Sequence, residues 1–421
     1  MLNTEYNTEY IDFFKIIAAV REPQTVPNEP DLLTSTAFAC MAASGSDWRD
    51  VGRKILEKIE TVRTEEDGMT IGFIYVTQEL GPDLTSLLSL LKNVTHIAHW
   101  YGASGQGICG NGLSYVGIPA ASVMIGRLPA NSFHGFALPL NDTIGLPADL
   151  RAWMNTHTPV AAITHGVLSA SSVARLGTTR EREGLYTVGG FAVGSNGGFH
   201  IADSAVISEH PLSGVLLDDT SRVLTGTSFG CILAGKVGRV TSCRGNVIET
   251  IDNEPAFAFL RRAVDSLKID ENAEPHGHVH AAFPVVGSDT NILLMRNITA
   301  ADEKTETLSV AHNFVRGDTI QFVWRDRHTT LSDLARTVRN LHARACAETG
   351  MQNPKPKAIL YFGCGARLPQ YEGRPAGGLA EDEAAIIRNV MGDAPMAGFY
   401  TAAEICNGHV FGYTGVIVLF L

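Results

Sequence analysis

A chain of 421 residues is long enough for about two to three domains, each able to bury a core without staples. An apolar share of 45% and a charged share of 18% belong to a folded globular protein and exclude disorder or a collagen-like repeat. The 44 acidic residues outnumber the 33 basic ones, and the resulting net charge of -11 repels phosphate backbones and anionic lipid, so neither nucleic acid nor a membrane surface is expected as a partner.

The opening residues, MLNTEYNTEYIDFF, carry neither the basic segment nor the apolar stretch of a signal peptide. The longest unbroken apolar run, Val416 to Leu421, is far short of a bilayer span. A soluble, cytoplasmic protein is the expectation. Seven cysteines (Cys40, Cys109, Cys231, Cys243, Cys346, Cys364 and Cys406) stand singly, without the paired spacing of a zinc ribbon or a disulfide framework, and read as reduced and mostly buried.

Residues 1–34 read as an N-terminal arm, polar and without periodicity. In SDWRDVGRKILEKI, Trp48, Val51, Ile55 and Ile59 recur at helical spacing behind Ser46 or Asp47 as N-cap, which predicts an amphipathic covering helix. IGFIYV (71–76) is short, β-branched and aromatic, as a strand is. Pro82 and Asp83 then open a helix whose Leu84, Leu87, Leu88 and Leu91 form one apolar stripe, and HIAHWY (96–101) reads as a second strand. Strand, helix and strand in so short a span make a crossover unit, with the two strands parallel. A glycine-dense turn, GASGQGICGNG, and the strand AASVMI (120–125) follow.

Beyond a glycine-rich stretch, VGGFAVGSNGG (188–198), come the short strands GVLLD (214–218) and FGCILA (229–234) and a Pro255-initiated helix with Phe259, Val264 and Leu267 inside. AAFPVV, NILLM, TIQFVW and a helix bearing Leu331, Leu334, Val338 and Leu341 supply a second sheet. The first order then recurs: the strand AILYF (358–362), a helix opened by Glu381, Asp382 and Glu383 with Ile386, Ile387 and Val390 inside, the strand MAGFY (396–400), the turn TAAEICNG and the strand GVIVLFL. Trp100-Tyr101 followed by Ile108-Cys109-Gly110-Asn111-Gly112 parallels Phe399-Tyr400 followed by Ile405-Cys406-Asn407-Gly408, which signals duplication. The expected fold is α+β: two related α/β halves, each a mixed sheet covered by helices, with residues 35–250 as the first domain and 251–421 as the second.

Taken in order, the stretches SDWRDVGRKI, HWYGASGQGICGNGLSYVGIPAASVMIGRL, YTVGGFAVGS, GRVTSCRGNVIETIDNEPAFAFL, FGCGAR and DAPMAGFYTAAEICNGHVFGYTGVIVLFL resemble a FIST protein, with its N-terminal and C-terminal FIST domains in sequence. The resemblance covers nearly the whole chain from about Phe38. It implies a stand-alone, bacterial-type sensory protein that binds a small ligand such as an amino acid and signals through a separate partner, a histidine kinase for example. It also implies a second reading, since some members are haem proteins responding to nitric oxide. Members commonly carry Gly-Glu-Ile at each turn; this chain has Gly105-Gln106-Gly107-Ile108 in the first and Ala403-Glu404-Ile405 in the second.

Several motifs fail on their own chemistry. Gly105-x-Gly107-x-x-Gly110 follows a strand, but Asn111, Gly112 and Gly117 forbid the helix a dinucleotide fingerprint must open, and no carboxylate follows near Leu128. Around Ser104 the final glycine of a nucleophile elbow is displaced by one. Cys109 and Cys406 leave a cysteine-dependent enzyme as a further alternative, against buried inert thiols. His276, His278 and His280 alternate, so a strand would project all three from one face toward a metal. For haem, His96, His99, His165 and His409 adjoin apolar strands or glycine turns.

The favoured reading is binding rather than bond-making chemistry. Glu404 stands alone in the uncharged segment MAGFYTAAEICNG, where a buried carboxylate needs a partner, and Arg367 is the natural one, whether directly or through a ligand acid. The expected ligand site comprises Tyr101, Ser104, Gly105, Gln106, Gly107, Arg367, Tyr400, Thr401 and Glu404, the amides and hydroxyls bonding a polar molecule walled by the two tyrosines.

Overall fold

The computed structural model describes residues 37–62, 68–129, 131–138, 145–207, 212–267, 278–284, 293–368 and 378–421. Among them, the first three sheets repeat one plan. In the first, the order is β1 (Phe38–Ser44), β6 (Ala120–Gly126), β2 (Ile71–Thr77), β3 (His99–Gly105), β10 (His200–Ala202) and β11 (Ala205–Ile207). In the second it is β7 (Phe133–Leu138), β12 (Leu212–Asp218), β8 (Pro159–Gly166), β9 (Thr187–Phe191), β23 (Glu404–Cys406) and β24 (His409–Phe411). In the third it is β13 (Val223–Ser228), β25 (Gly415–Phe420), β21 (Ala358–Cys364), β22 (Met396–Thr401), β4 (Gly107–Gly110) and β5 (Leu113–Val116).

At the heart of each sheet lies one parallel pair: β2 with β3, β8 with β9, β21 with β22. A helix makes each crossover: α2 (Leu84–Thr95), α4 (Ala170–Glu183) and α7 (Gly378–Met391). The chain is thus α+β, with the two related α/β halves and mixed sheets of a pseudo-duplicated fold. The repetition extends to a third copy at 159–191, between the two the sequence displays. After each pair a hairpin leaves its own sheet and completes another. β4 pairs with β22, β10 with β3, and β23 with β9, all antiparallel.

Hairpin registers fix which residues correspond. Cys109 faces Gly398, Ile201 faces Gly102 and Ile405 faces Gly189. The three glycines are equivalent because each close approach is the same: a Cβ there would strike the carbonyl of Tyr361, Ile74 or Thr164 on the parallel partner. Cys109 therefore matches Ile405, and Glu404 matches Ile108 and His200. The Ile-Cys match legible in the sequence is one residue out of register, while its Asn-Gly anchor holds: Asn111-Gly112 and Asn407-Gly408 have positive φ at both positions, as a two-residue hairpin turn of that type requires.

Helices cover the outer faces. Asp47 caps α1 (Trp48–Val62) by accepting from the amides of Arg49 and Asp50 at 2.8 and 2.9 Å. Val51, Ile55 and Ile59 of α1, with Leu84, Leu87, Leu88 and Leu91 of α2, pack with Ile74, Val76 and Val123 of the first sheet in one core. β3 starts later than HIAHWY suggests, because His96 takes a left-handed conformation and ends α2. The glycine-dense segment 102–112 is mostly strand, reversing only at Asn111-Gly112. α3 (Ala148–Met154) contributes Leu150 to the core of the second sheet.

By internal contacts the chain divides into two compact units. The first holds the described residues up to Gly226, with Ala335–Val410 and Val416–Leu421; the second holds Thr227–Leu334 and Phe411–Gly415. In the second unit the strand order is β14 (Ile232–Arg244), β20 (Thr319–Trp324), β17 (Val279–Pro284), β18 (Leu293–Asp302), β19 (Thr307–Val310), β15 (Val247–Ile251) and β16 (Glu254–Pro255). β14 also pairs with β15, so the sheet closes on itself. Its core combines Val240, Ile251, Ile320 and Phe322 with Phe259 from α5 (Ala256–Asp265). The long helix α6 (Arg327–Thr349) buries Leu331, Leu334, Val338 and Leu341, and no described helix is long and apolar enough to cross a membrane.

Candidate functional site

Four chain segments of the first unit converge where β22 ends. Arg367 lies in the single turn after β21 and is 1% exposed; its Nη1 is 2.8 Å from Glu383 Oε1, and Glu383 is fully buried on α7. Tyr400 at the end of β22 donates its hydroxyl to the other oxygen of Glu383 at 3.1 Å. Thr401 Oγ1 donates to Glu404 Oε1 at 2.6 Å, both buried. Gln106, at the bend between β3 and β4, donates its amide to the Tyr400 carbonyl at 2.9 Å, and its side chain occupies the space a Cβ on Gly365 would need.

The electrostatics follow from burial. Desolvation alone would pull the Arg367 guanidinium down, but Glu383, aided by Tyr361, Cys364 and Glu404, more than offsets it and holds the group above its ordinary value. Burial first, then the Glu383 carboxylate, pushes the Tyr400 and Tyr361 phenols well above theirs. The cluster is an ionised fork and two carboxyl groups enclosed by neutral phenols, away from water. Such an arrangement can hold the charged ends of a small molecule or serve as an internal tie.

Of the expected ligand residues, the structure brings together Gln106, Arg367, Tyr400, Thr401 and Glu404. Gly105 and Gly107 pack beside them, a Cβ on Gly105 reaching within 2.9 Å of the Tyr400 carbonyl and one on Gly107 within 3.5 Å of its ring. Ser104 and Tyr101 are placed elsewhere. Ser104 Oγ donates to the Val193 carbonyl at 2.7 Å and accepts from the Phe199 amide at 2.9 Å, stitching β3 to the loop before β10. Tyr101 points its hydroxyl to Asp203 at 3.4 Å. The sequence reading missed Glu383 as the direct partner of Arg367. The signal was a carboxylate spaced with Ala380, Ala384 and Ile387 on the buried face of α7.

A second buried feature lies where the three sheets meet. Tyr75, His165 and Phe362 hold equivalent positions on β2, β8 and β21, each one residue past the carbonyl that faces the matched glycine. Their rings touch pairwise, with centroids 5.6 Å apart for Tyr75–His165 and 5.9 Å for the other two pairs. Phe399 stacks on Tyr75 at 5.0 Å. His165 is fully buried, neither ring nitrogen has a hydrogen-bond partner, and burial pushes it down to about 3.

The other expectations can be placed as well. His278 Nδ1 lies 2.8 Å from the Arg325 carbonyl, and His280 Nδ1 lies 3.2 Å from Asn297 Oδ1. Among the described residues no group of three His, Cys, Asp or Glu could hold a metal; His276 and residues 1–34 lie outside them. Of the four histidines raised for haem, His165 is enclosed by aromatic rings, His96 is exposed at the end of α2, His99 Nδ1 lies 2.7 Å from Asp203 Oδ1, and His409 is half-buried on β24. Cys40 is pushed up to about 12 and Cys109 higher still, by burial above all, which makes poor nucleophiles of both.

The FIST N domain matches residues 70–254 and the FIST C domain residues 256–407. This chain belongs to the FIST family of sensory domains. It is 28% identical over 344 residues to the uncharacterized protein Rv0628c of Mycobacterium tuberculosis, covering 79% of each chain. To the uncharacterized protein Mb0898c of Mycobacterium bovis it is 29% identical over 206 residues, covering 46% of this chain and 49% of that one.

Proposed function

We propose that the protein is a small-ligand sensor whose site is the cluster of Gln106, Arg367, Tyr400, Thr401 and Glu404 at the end of β22. The ligand is a small polar molecule, amino-acid-like or a carboxylate, engaged by the Arg367 fork and the Glu404 carboxyl. The supporting observation is that charged side chains from separate segments meet in a water-excluded place, at the junction of two strands from different copies of the repeat. Desolvating such groups is costly, and strongly perturbed groups concentrate at functional sites. A ligand that exchanges with their internal partners would change how the β4 hairpin and β22 are tied. A separate cytoplasmic signalling protein, such as a histidine kinase, would read that change.

Isothermal titration with amino acids and small carboxylates tests this. One of them should bind, and Arg367→Lys, which keeps the charge but loses the fork, and Glu404→Gln should each weaken it by about tenfold or more. Absence of binding across the set, or affinities unchanged in both variants, would overturn the reading.

A further inference from the structure

His342 and Cys346 are one turn apart on α6 and share a face. Cys346 Sγ lies 3.7 Å from His342 Nδ1, and His342 Nε2 lies 2.9 Å from Asn353 Oδ1. Asn353 reaches this position because Gly350, left-handed at φ +70°, ends the helix by bonding its amide to the Cys346 carbonyl at 2.9 Å and turns the chain back.

The chemistry of the three groups sets their roles. An amide oxygen only accepts, so Asn353 fixes the imidazole with its proton on Nε2 and its Nδ1 lone pair toward the sulfur. A nucleophile, a base and a group orienting the base then stand in series, the arrangement that activates a thiol. The thiol also lies 3.3 Å from the Gln352 carbonyl, which can share its proton but cannot take it. Of the groups beside the thiol, the imidazole is the one that can take the proton.

Accessibility and the neighbouring base together set this thiol apart. Cys40, Cys109, Cys231, Cys364 and Cys406 are buried; Cys243 is half-exposed, as Cys346 is, but donates to the Phe314 carbonyl, whereas Cys346 has an imidazole beside it. Cys346 and His342 are half-exposed, Gln352 and Asn353 are exposed, and the neighbouring Met351 is 62% exposed. The triad therefore stands on open surface rather than in a cleft. That suits attack on a sulfur, which needs no oxyanion hole, better than acyl transfer, which does.

We propose that Cys346 is a thiol-modification site that undergoes exchange with a low-molecular-weight disulfide. His342 Nδ1 takes the thiol proton and the Cys346 thiolate attacks one sulfur of the disulfide. The reagent's S–S bond breaks as the mixed disulfide forms, and the displaced thiolate recovers the proton from His342 and departs as a thiol. One disulfide is consumed and one is made, so no further oxidant is required.

The test is incubation of the full chain with glutathione disulfide across about pH 5.5 to 9, following each cysteine by peptide mass. Cys346 should form the mixed disulfide ahead of Cys243. His342→Gln should slow it by about tenfold or more at neutral pH. Asn353→Ala should slow it less, and Asn353→Asp, which keeps the acceptor, should restore it. Equal rates at Cys346 and Cys243, or a pH profile unchanged by His342→Gln, would overturn the proposal.

Discussion

His165 shows how much one residue can cost a core. Its two ring nitrogens are buried without partners among Tyr75, Phe362 and Phe399, and each buried unsatisfied polar atom forgoes about 1–3 kcal/mol. The sign of its pH dependence follows from its depressed value. Below the ordinary 6.5 the unfolded imidazole takes a proton, whereas the folded one refuses it until about 3, so stability falls as pH drops through that window and is fully present above it. His280, lowered to about 4, adds to the same slope. His165→Phe, close in size and without polar atoms, should stabilise the protein by about 1–3 kcal/mol at acid pH and flatten the acid limb of the stability curve. Denaturant unfolding of both proteins between about pH 4 and 8 measures this; an unchanged slope would show that the acid limb belongs to other groups.

At the scale of elements, glycine has opposite meanings in strand and helix. A Cβ on Gly102, where φ is +152°, would run into the Ile74 carbonyl on β2, while one on Gly177 of α4 meets nothing within 4 Å. Gly102→Ala should destabilise by about 3 kcal/mol or prevent folding, since backbone rather than side chain must give way. Gly177→Ala should stabilise by about 0.5–1 kcal/mol through helix propensity. Thermal unfolding of the two variants separates these signs. The same contrast explains what the sequence made legible. The crossovers at 71–105 and 358–401 announce themselves because α2 and α7 carry dense apolar stripes. The crossover at 159–191 is hidden because α4, ASSVARLGTTRERE, buries a single large apolar side chain, Leu176, and β9 reads TVGGF, glycines where strand formers are expected. At the candidate site, Glu404 was legible as a carboxylate alone in an uncharged segment, and Arg367 as the fork suited to pair with it. Glu383 was not, because a carboxylate in the first turns of a helix has a sufficient local explanation in the dipole.

For the first unit as a whole, the exchange of hairpins matters most. β4 and β5 lie early in the chain yet complete the sheet of β21 and β22; β23 and β24 lie late yet complete the sheet of β8 and β9. The central rings are likewise divided, Tyr75 and His165 from the early part and Phe362 and Phe399 from the late part. A cut between the copies leaves the helix-covered core of the first sheet whole in the early piece, but it divides the central rings and strips β8 and β9 of β23 and β24. A chain severed between Thr220 and Ser221 should therefore behave in a defined way. The early fragment alone should expose unpaired strand edges and half of the ring cluster, melting without cooperativity and tending to aggregate. The two fragments produced together should recover a single complex with a sharp transition, because every hairpin regains its acceptor strand. Size-exclusion chromatography and calorimetry of the fragments, separately and together, decide the matter: a sharp independent transition in the early fragment would mean that hairpin exchange adds little to the stability of the repeat, and its absence would make the exchanged strands the reason these copies fold only as one.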